Sequence, residues 1–398
     1  MENPFQFGRE LGADELVNRR EEVTEVISAI TEGRKLFLIG PRRYGKTSIL
    51  KAASDQASRQ GATVLRYDAE AYPTLDQLVG AVVADAAKSL RGGVERAGEQ
   101  IKKYFSKLRP ELSFNVTQTS WSVKLGVASS GGDGAQVKLL VDALNGLEKM
   151  SADQPEDRPT GLVIDEFQKI IEVGGRATEA QIRAAIQQHK RTGYVFAGSK
   201  TRMLTDMTTD AARPFYRLGS LLFVGPIPGE EFIQFLLDSF ARGGFRVEGA
   251  TGKETKGGAV NLILDLAEEV PYNVQLLAHT CWEQLQGATG RRVLTEDVVR
   301  GSLDLIVRRY DPFYTQLWNQ LTAVQQKTLL AVIEEGGVNL RSNKVVRAIG
   351  KGASTIQRAL EALLDRDILR EEEQSGAVRL RFEDPFFSAW IKSFTAKL

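Results

Sequence analysis

The sequence predicts an α/β chain: a parallel sheet flanked by helices to about residue 225, a helical unit after it, and a small winged helix-turn-helix at the end. Three observations predict it. Short apolar runs alternate with amphipathic stretches from Lys35 to Val224, the alternation of parallel strands with crossover helices. One of those runs opens directly on Gly40-Pro41-Arg42-Arg43-Tyr44-Gly45-Lys46-Thr47. Beyond residue 312, three helical stretches precede two short strands, the element order of a winged helix.

The 398 residues suggest two or three folded units. Hydrophobic residues make up 42% and charged residues 26%, an ordinary globular mixture. A net charge of +1 predicts no global field for nucleic acid or membrane, so any basic surface is local. Cys281 is the single cysteine, which excludes an intramolecular disulfide, and its apolar helical surroundings suggest an inert buried thiol. His189 and His279 are the only histidines and lie in no cluster with metal-ligand spacing, so neither a zinc site nor a serine–histidine triad is expected. The start, MENPFQFGRELGADEL, lacks a basic segment followed by an apolar run and predicts no signal peptide. No apolar stretch approaches the ~20 residues of a membrane span. The expected compartment is the cytoplasm.

In chain order, Val23, Val26, Ile27 and Ile30 form the apolar face of a first helix. Lys35–Ile39 reads as a strand buried on both faces. A helix follows the Gly40–Thr47 loop to about Gln60, then a strand over Thr63–Asp68 and helix over 74–108. The Ser/Thr/Val-rich stretch 112–127 reads as a β-hairpin inserted into the core, a protruding arm with Trp121 as its anchor or contact. Ser129–Gly134 reads as a flexible link. A helix over 135–150, a strand ending at Asp165, a helix around 178–191 and strands over 194–198 and 221–224 complete the sheet. After Pro226 and Pro228, helices are expected at 229–241, 258–269, 271–286 and 295–309. The last unit carries helices near 322–335, 341–349 and 353–366 and strands over 368–372 and 377–382. Glu373–Gly376 is the expected wing tip.

Gly40–Thr47 fits G-x-x-x-x-G-K-[ST] in full. In such a loop, glycines let backbone N–H groups wrap phosphate and the next helix points its positive end at that charge. Lys46 is placed to reach the β- and γ-phosphates of ATP, and Thr47 to ligate Mg²⁺; Ser48 follows as a further candidate contact. Gly161-Leu-Val-Ile-Asp165-Glu166 is the expected companion: Asp165 for the magnesium shell, Glu166 as general base on the attacking water. The strand ending at Gly198 is expected beside the P-loop strand, which would bring Ser199 near the γ-phosphate as a sensor.

With these motifs the chain resembles the AAA+-related archaeal-type ATPases, relatives of the signal-transduction ATPases with numerous domains (STAND) and of the origin-recognition initiators. Leu16-Val17-Asn18-Arg19-Arg20-Glu21-Glu22 is similar to the family's F-V-G-R-E-x-E motif, which implies that Val17, Asn18 and Arg19 lie against the adenine; Asn18 and Arg20 depart from the pattern. Phe196–Lys200 is similar to the family's first-sensor segment. Arg213-Pro214-Phe215-Tyr216-Arg217 is similar to its P-L-Y-G-R stretch, with the arginine one position earlier. Glu269-Val270-Pro271-Tyr272-Asn273 is similar to the G-x-P motif of its helical lid, with valine before the proline, and implies a nucleotide contact at Pro271. Phe382-Glu383-Asp384-Pro385…Trp390 matches the family's C-terminal F-x-D-P-x-x-x-x-W pattern. The resemblance implies an AAA+-like core over 1–225, a lid over 226–311 and a winged-helix domain over 312–398.

Function follows as an expectation: an ATPase whose nucleotide state (ATP or ADP) controls homo-oligomerisation or the binding of a protein partner. Arg213 and Arg217 either reach a neighbouring subunit's γ-phosphate or form a salt bridge that fixes their own loop. The alternatives are a DNA-associated ATPase of the initiator or transposition-regulator kind, loading on duplex through its winged helix, and a nucleotide-locked scaffold with negligible turnover. Arg347, Lys351 and Arg358 favour phosphate contact, whereas Glu371-Glu372-Glu373 oppose it. Arg379 and Arg381 lie on the return strand. Arg341, Lys344 and Arg347 also read as a solvated helix face.

Overall fold

The computed structural model describes residues 2–90, 94–115, 120–125, 133–173, 175–249, 258–287, 292–374 and 377–395. They form two compact units: Glu10–Gly225, and Met1–Arg9 together with Pro226–Leu398.

The first unit is built on strands β1 (Lys35–Ile39), β2 (Thr63–Asp68), β3 (Pro110–Asn115), β4 (Ser120–Leu125), β5 (Thr160–Asp165), β6 (Thr192–Gly198) and β7 (Ser220–Phe223). Five of them make one sheet in the order β2-β5-β6-β1-β7, every pairing parallel. β5 and β6 are buried at every residue, as a strand covered by helices on both faces must be. Helices α1 (Arg20–Thr31), α2 (Lys46–Arg59), α3 (Leu75–Ser89), α4 (Val94–Tyr104), α5 (Asp133–Ala152), α6 (Gln168–Glu172), α7 (Gly175–Ile186) and α8 (Thr201–Thr209) cover it. The continuous helix expected over 74–108 is two helices, with 91–93 outside the described residues.

The hairpin β3–β4 stands outside the main sheet, with Phe114 opposite Trp121. It is not a free arm. Trp121, Val123 and Leu125 pack half-buried on the core, and the Trp121 ring lies 3.6 Å from where a side chain at Gly98 would begin. Its apolar residues thus pack toward α3 and α4. The flexible link is partly overturned as well: Asp133 and Gly134 open α5, while 129–132 lie outside the described residues.

The second unit holds α9 (Gly229–Arg242), β8 (Arg246–Val247), α10 (Ala259–Leu266), α11 (Pro271–Gly287), β9 (Val293–Leu294) and α12 (Glu296–Asn319). It continues with α13 (Ala323–Glu334), α14 (Asn343–Ile349), α15 (Ala353–Asp365), β10 (Leu369–Gln374), β11 (Ala377–Phe382) and α16 (Pro385–Thr395). Residues 2–9 join it, although the sequence suggests they belong to the core. Phe5 is fully buried against Phe235, Phe240 and Trp282, and its carbonyl meets His279 Nδ1 at 2.8 Å. The boundary expected at 311/312 is bridged by α12, which runs through Pro312. A proline inside a helix leaves one carbonyl without its donor, and here it sits on an exposed face.

The last helix explains the Asp384–Trp390 pattern. Asp384 Oδ1 accepts from Phe386 N at 3.0 Å, and its Oδ2 accepts from the Tyr314 hydroxyl at 3.1 Å. Trp390 donates to Asp311 at 2.7 Å and stacks with Phe387 and Phe394. These residues cap and dock α16 on α12. They are structural.

His189 is equally structural. Its Nδ1 meets the Tyr194 hydroxyl at 2.7 Å and its Nε2 meets Asn145 Oδ1 at 3.2 Å. Burial, reinforced by Lys35 and opposed by Glu148, lowers its pKa below the ordinary 6.5. The unfolded chain therefore takes up the proton first, and the stability held above pH 6.5 is lost as pH falls through the folded value. Thermal unfolding should show a falling midpoint on this acid limb, and His189→Gln should flatten it; an unchanged limb in the variant would assign the acid sensitivity elsewhere.

Candidate functional site

The P-loop is shaped by what its residues touch. Gly40 leaves β1 so close to β7 that a side chain there would begin 2.6 Å from the Val224 carbonyl. Arg43 takes φ 67° and Gly45 caps α2, whose 14 residues begin with Lys46 and Thr47. Lys46 is buried and its Nζ donates to the Pro41 carbonyl at 2.8 Å, so the ammonium folds over the loop's own concavity.

Thr47 and Asp165, 118 residues apart, meet directly: the Thr47 hydroxyl donates to Asp165 Oδ2 at 2.7 Å. Asp165 Oδ1 accepts from the Glu166 backbone N–H at 2.9 Å. Burial pushes the Asp165 carboxyl above the usual 3.8, while Thr47, the Glu166 N–H and Lys46 pull it back. Glu166 adopts φ 49°, an unusual conformation for a residue with a side chain. The turn is held because Phe167 N donates to Ala197 O at 2.8 Å. Glu166 Oε2 then accepts from the Ser199 hydroxyl at 2.8 Å and from Gln168 Nε2. Ser199 also lies 3.4 Å from Arg42 Nε. Ser199 therefore joins P-loop and acidic pair, the juxtaposition expected from strand order.

Two residues here escape sequence reasoning. Asp68 ends β2 directly opposite Asp165, and burial first, then the negative charges of Glu70, Glu166 and Glu10, raises its pKa. Gln168 is fully buried against Glu166 and Ser199. The available signal was a glutamine on the same short helical turn as the apolar Ile170 and Ile171.

The other candidates sit elsewhere. Arg19 is buried and donates to Glu22 (2.7 Å), to the P-loop carbonyl of Tyr44 (3.3 Å) and to Gly225 O (2.5 Å). Its guanidinium braces the loop. Asn18 Oδ1 accepts from Arg19 N at 2.6 Å, so this side chain shapes the left-handed turn; Val17 precedes it, half-buried. Ser48 Oγ accepts from Leu11 N at 3.0 Å. Pro271 opens α11 in the second unit, after Glu268 and Glu269 at positive φ. Arg213 makes a two-pronged ion pair with Glu179, which is fully buried on α7. That pairing raises the Arg213 pKa further. Arg217 is exposed and lies over the Tyr216 ring at 5.1 Å. Of the two arginines, then, Arg213 is the loop-fixing salt bridge.

On the winged helix, Arg341, Arg347, Lys351 and Arg358 are exposed, whereas Lys344 pairs with Glu335 at 2.6 Å. Arg379 donates to Gly336 O at 2.6 Å. Arg381 bonds Glu372 at 3.1 Å and lies 3.5 Å from Glu268, which Arg370 also faces at 3.6 Å. The return-strand arginines are thus spent within the unit.

The fold, a parallel five-stranded sheet whose β1 opens on the P-loop, followed by a helical unit that ends in a winged helix, is similar to that of solved structures described as ATPases and origin-recognition proteins. A family model described as "Probable winged helix domain" matches residues 312–393. Among solved structures, the Walker-type ATPase of Pyrococcus abyssi is 15% identical, with a TM-score of 0.61 over 98% of this chain and 99% of that one. The ORC2 protein of Aeropyrum pernix, in ADPNP–ADP complexes, is 15% identical, with a TM-score of 0.51 over 99% of this chain and 98% of its own. No curated protein matches the sequence.

The two arginines make a stability contrast. Arg213→Ala strands a buried carboxylate and should cost about 3–5 kcal/mol, whereas exposed Arg217→Ala should stay within about 0.5 kcal/mol. Denaturant unfolding of both variants measures this; equal costs would mean that the Glu179 pair carries no stability.

Proposed function

We propose that this chain is an ATPase: it binds ATP with Mg²⁺ at Gly40–Thr47 and hydrolyses it with Glu166 as general base. The observation that carries this reading is the 2.7 Å hydrogen bond between the Thr47 hydroxyl and Asp165, with Glu166 turned away beside it. Thr47 and Asp165 are an oxygen donor pair of the kind that holds Mg²⁺ together with phosphate oxygens, and the elevated Asp165 pKa marks a buried acid that a cation would favour in ionised form. Bound there, Mg²⁺ would offset charge on the phosphates. Lys46 exchanges the Pro41 carbonyl for phosphate oxygens. The loop's backbone N–H groups orient the phosphates. Glu166 Oε2 is occupied by Ser199 and Gln168, so Oε1 accepts the proton of the attacking water. Ser199, hydrogen-bonded to both Glu166 and Arg42, registers the γ-phosphate end of the site. The nucleotides in the Aeropyrum relative's complexes agree with this assignment.

Control of oligomerisation or partner binding by nucleotide state belongs to the same proposal. Exposed Arg217 is the residue for a neighbouring subunit's phosphate, because Arg213 is committed to Glu179. A second reading, loading on duplex DNA, is favoured by the exposed Arg347, Lys351 and Arg358 on and before α15. Among the described residues no helix is long and apolar enough to cross a membrane.

Lys46→Ala should lose tight ATP binding, and Glu166→Gln should bind ATP while its turnover falls by ~10²-fold or more. Turnover within about threefold of wild type, well short of a general-base loss, would sink the assignment of Glu166. DNA-stimulated turnover in the same assay separates the second reading from the first.

The trans role of Arg217 has its own test. Arg217→Ala and Glu166→Gln proteins, each inactive alone, should regain activity when mixed, since some interfaces then pair an intact Glu166 with an intact arginine. No recovery, with both variants still binding ATP and associating, places Arg217 in its own subunit's structure.

A further inference from the structure

We infer that Gln168 is a positioning residue for Glu166, holding the base's carboxylate through Oε2 so that its other oxygen faces the water. The inference rests on the ATPase reading and extends it to a residue outside the P-loop and the acidic pair.

Gln168 opens the five-residue helix α6 and is fully buried. Its side-chain Nε2 donates to Glu166 Oε2 and lies 3.5 Å from the Ser199 hydroxyl. The amide nitrogen must be the end that faces Glu166, because an amide oxygen there would repel the carboxylate. That leaves Oε1 pointing away, and it is buried with no hydrogen-bond partner among the described residues. Buried polar atoms are nearly always satisfied, and an orphan is a cost that something else must offset. Its neighbours along the chain, Phe167, Ile170 and Ile171, and Leu204, which meets Gly198 together with it, are buried and apolar.

The strand opposite is adapted to the same side chain. A β-carbon at Gly198 would collide with Gln168 Oε1 and with Leu204 Cδ1. Its positive-φ freedom is not the reason for glycine here, since Gly198 lies within β6; space for the glutamine is. Strand β6 thus ends Gly198-Ser199, one residue making room for Gln168 and the next donating to the same oxygen that Gln168 holds. Two donors on one carboxylate oxygen fix both the rotation of the carboxylate and which oxygen remains for proton transfer. Such orientation matters steeply, because a misplacement of about 1 Å can cost ~10²-fold in rate.

A glutamine kept for position and not for packing has an unusual signature. Gln168→Leu, similar in size, removes the orphan oxygen and the donor together. The variant should melt no lower than wild type, bind ATP with unchanged affinity and KM, and lose about tenfold to a hundredfold in kcat. Gln168→Met, the unbranched alternative, guards against a leucine that does not fit, and should behave alike. Because Gln168 and Ser199 act on one oxygen, the Gln168→Leu/Ser199→Ala double variant should lose less than the product of the single losses. Turnover within about threefold of wild type in Leu and Met variants, against the larger loss expected for a misplaced base, overturns the inference; so does a lower melting point with a parallel loss of ATP affinity, which would make Gln168 a packing residue. Glu166→Gln is the control. If it abolishes a measurable wild-type turnover while Gln168→Leu spares it, only the positioning role falls. If wild type shows no turnover that Glu166→Gln removes, the ATPase reading falls and takes this inference with it.

Discussion

The register between β1 and β6 governs everything at the carboxyl edge of the sheet. Ile39 lies opposite Gly198, so the P-loop and Ser199 leave the sheet at the same level. The β5–β6 pairing, Ile164 opposite Phe196, delivers Asp165 and Glu166 alongside. From these two ladders follow the Thr47–Asp165, Ser199–Glu166 and Arg42–Ser199 contacts. A slip by one residue would turn every side chain of β6 to the opposite face. With all seven β6 residues buried, no slipped pairing could be tolerated.

That register also concentrates charge. Asp68 and Asp165 face each other across β2 and β5, with Glu166 next in sequence, and the carboxyls of Asp68 and Asp165 are held above their ordinary pKa chiefly by burial. Apolar residues at these strand ends would be easier to bury. The surrounding donors are arranged to offset part of that cost: Thr47 and the Glu166 N–H on Asp165, Ser199 and Gln168 on Glu166, the Glu70 N–H on Asp68. Keeping several acids together under donors, beside a buried lysine, costs local stability.

Much of this was legible because it is periodic or motif-bound. The five sheet strands and the P-loop helix follow from apolar runs and their punctuation, Thr47 from the P-loop pattern, Asp165 and Glu166 from the apolar run that ends in them, and Ser199 from the expected place of its strand beside the P-loop strand. What escaped depends on partners far away in the sequence. Phe5 reads as an unremarked aromatic until Phe240 and Trp282, far along the chain, enclose it. Pro312 reads as a boundary, yet α12 passes through it because Tyr314 and Ile306 on either side are buried. Arg213 and Arg217 look equivalent in sequence, and only the buried Glu179 on α7 separates them. Gln168 carries no motif at all; its meaning appears only when Glu166 and Ser199 are seen to converge on it.

Arg19 shows how a motif residue can brace the P-loop from within the protein. Its left-handed backbone, φ 74°, is set by the preceding Asn18 carbonyl oxygen of the side chain accepting from its own N–H. From there the guanidinium reaches Glu22, Tyr44 O and Gly225 O. The planar, spread donors of arginine suit holding a carboxylate and two carbonyls at once. Within the first unit, one bond of this arginine is on the P-loop and another on the last residue before the chain leaves at Pro226. The other crossing of the chain, between Arg9 and Glu10, is followed at once by Leu11, whose N–H is held by Ser48 just past Thr47. Each point at which the chain leaves this unit is therefore hydrogen-bonded to a residue next to the loop: Gly225 to Arg19, which also holds Tyr44 O, and Leu11 to Ser48, which follows Thr47.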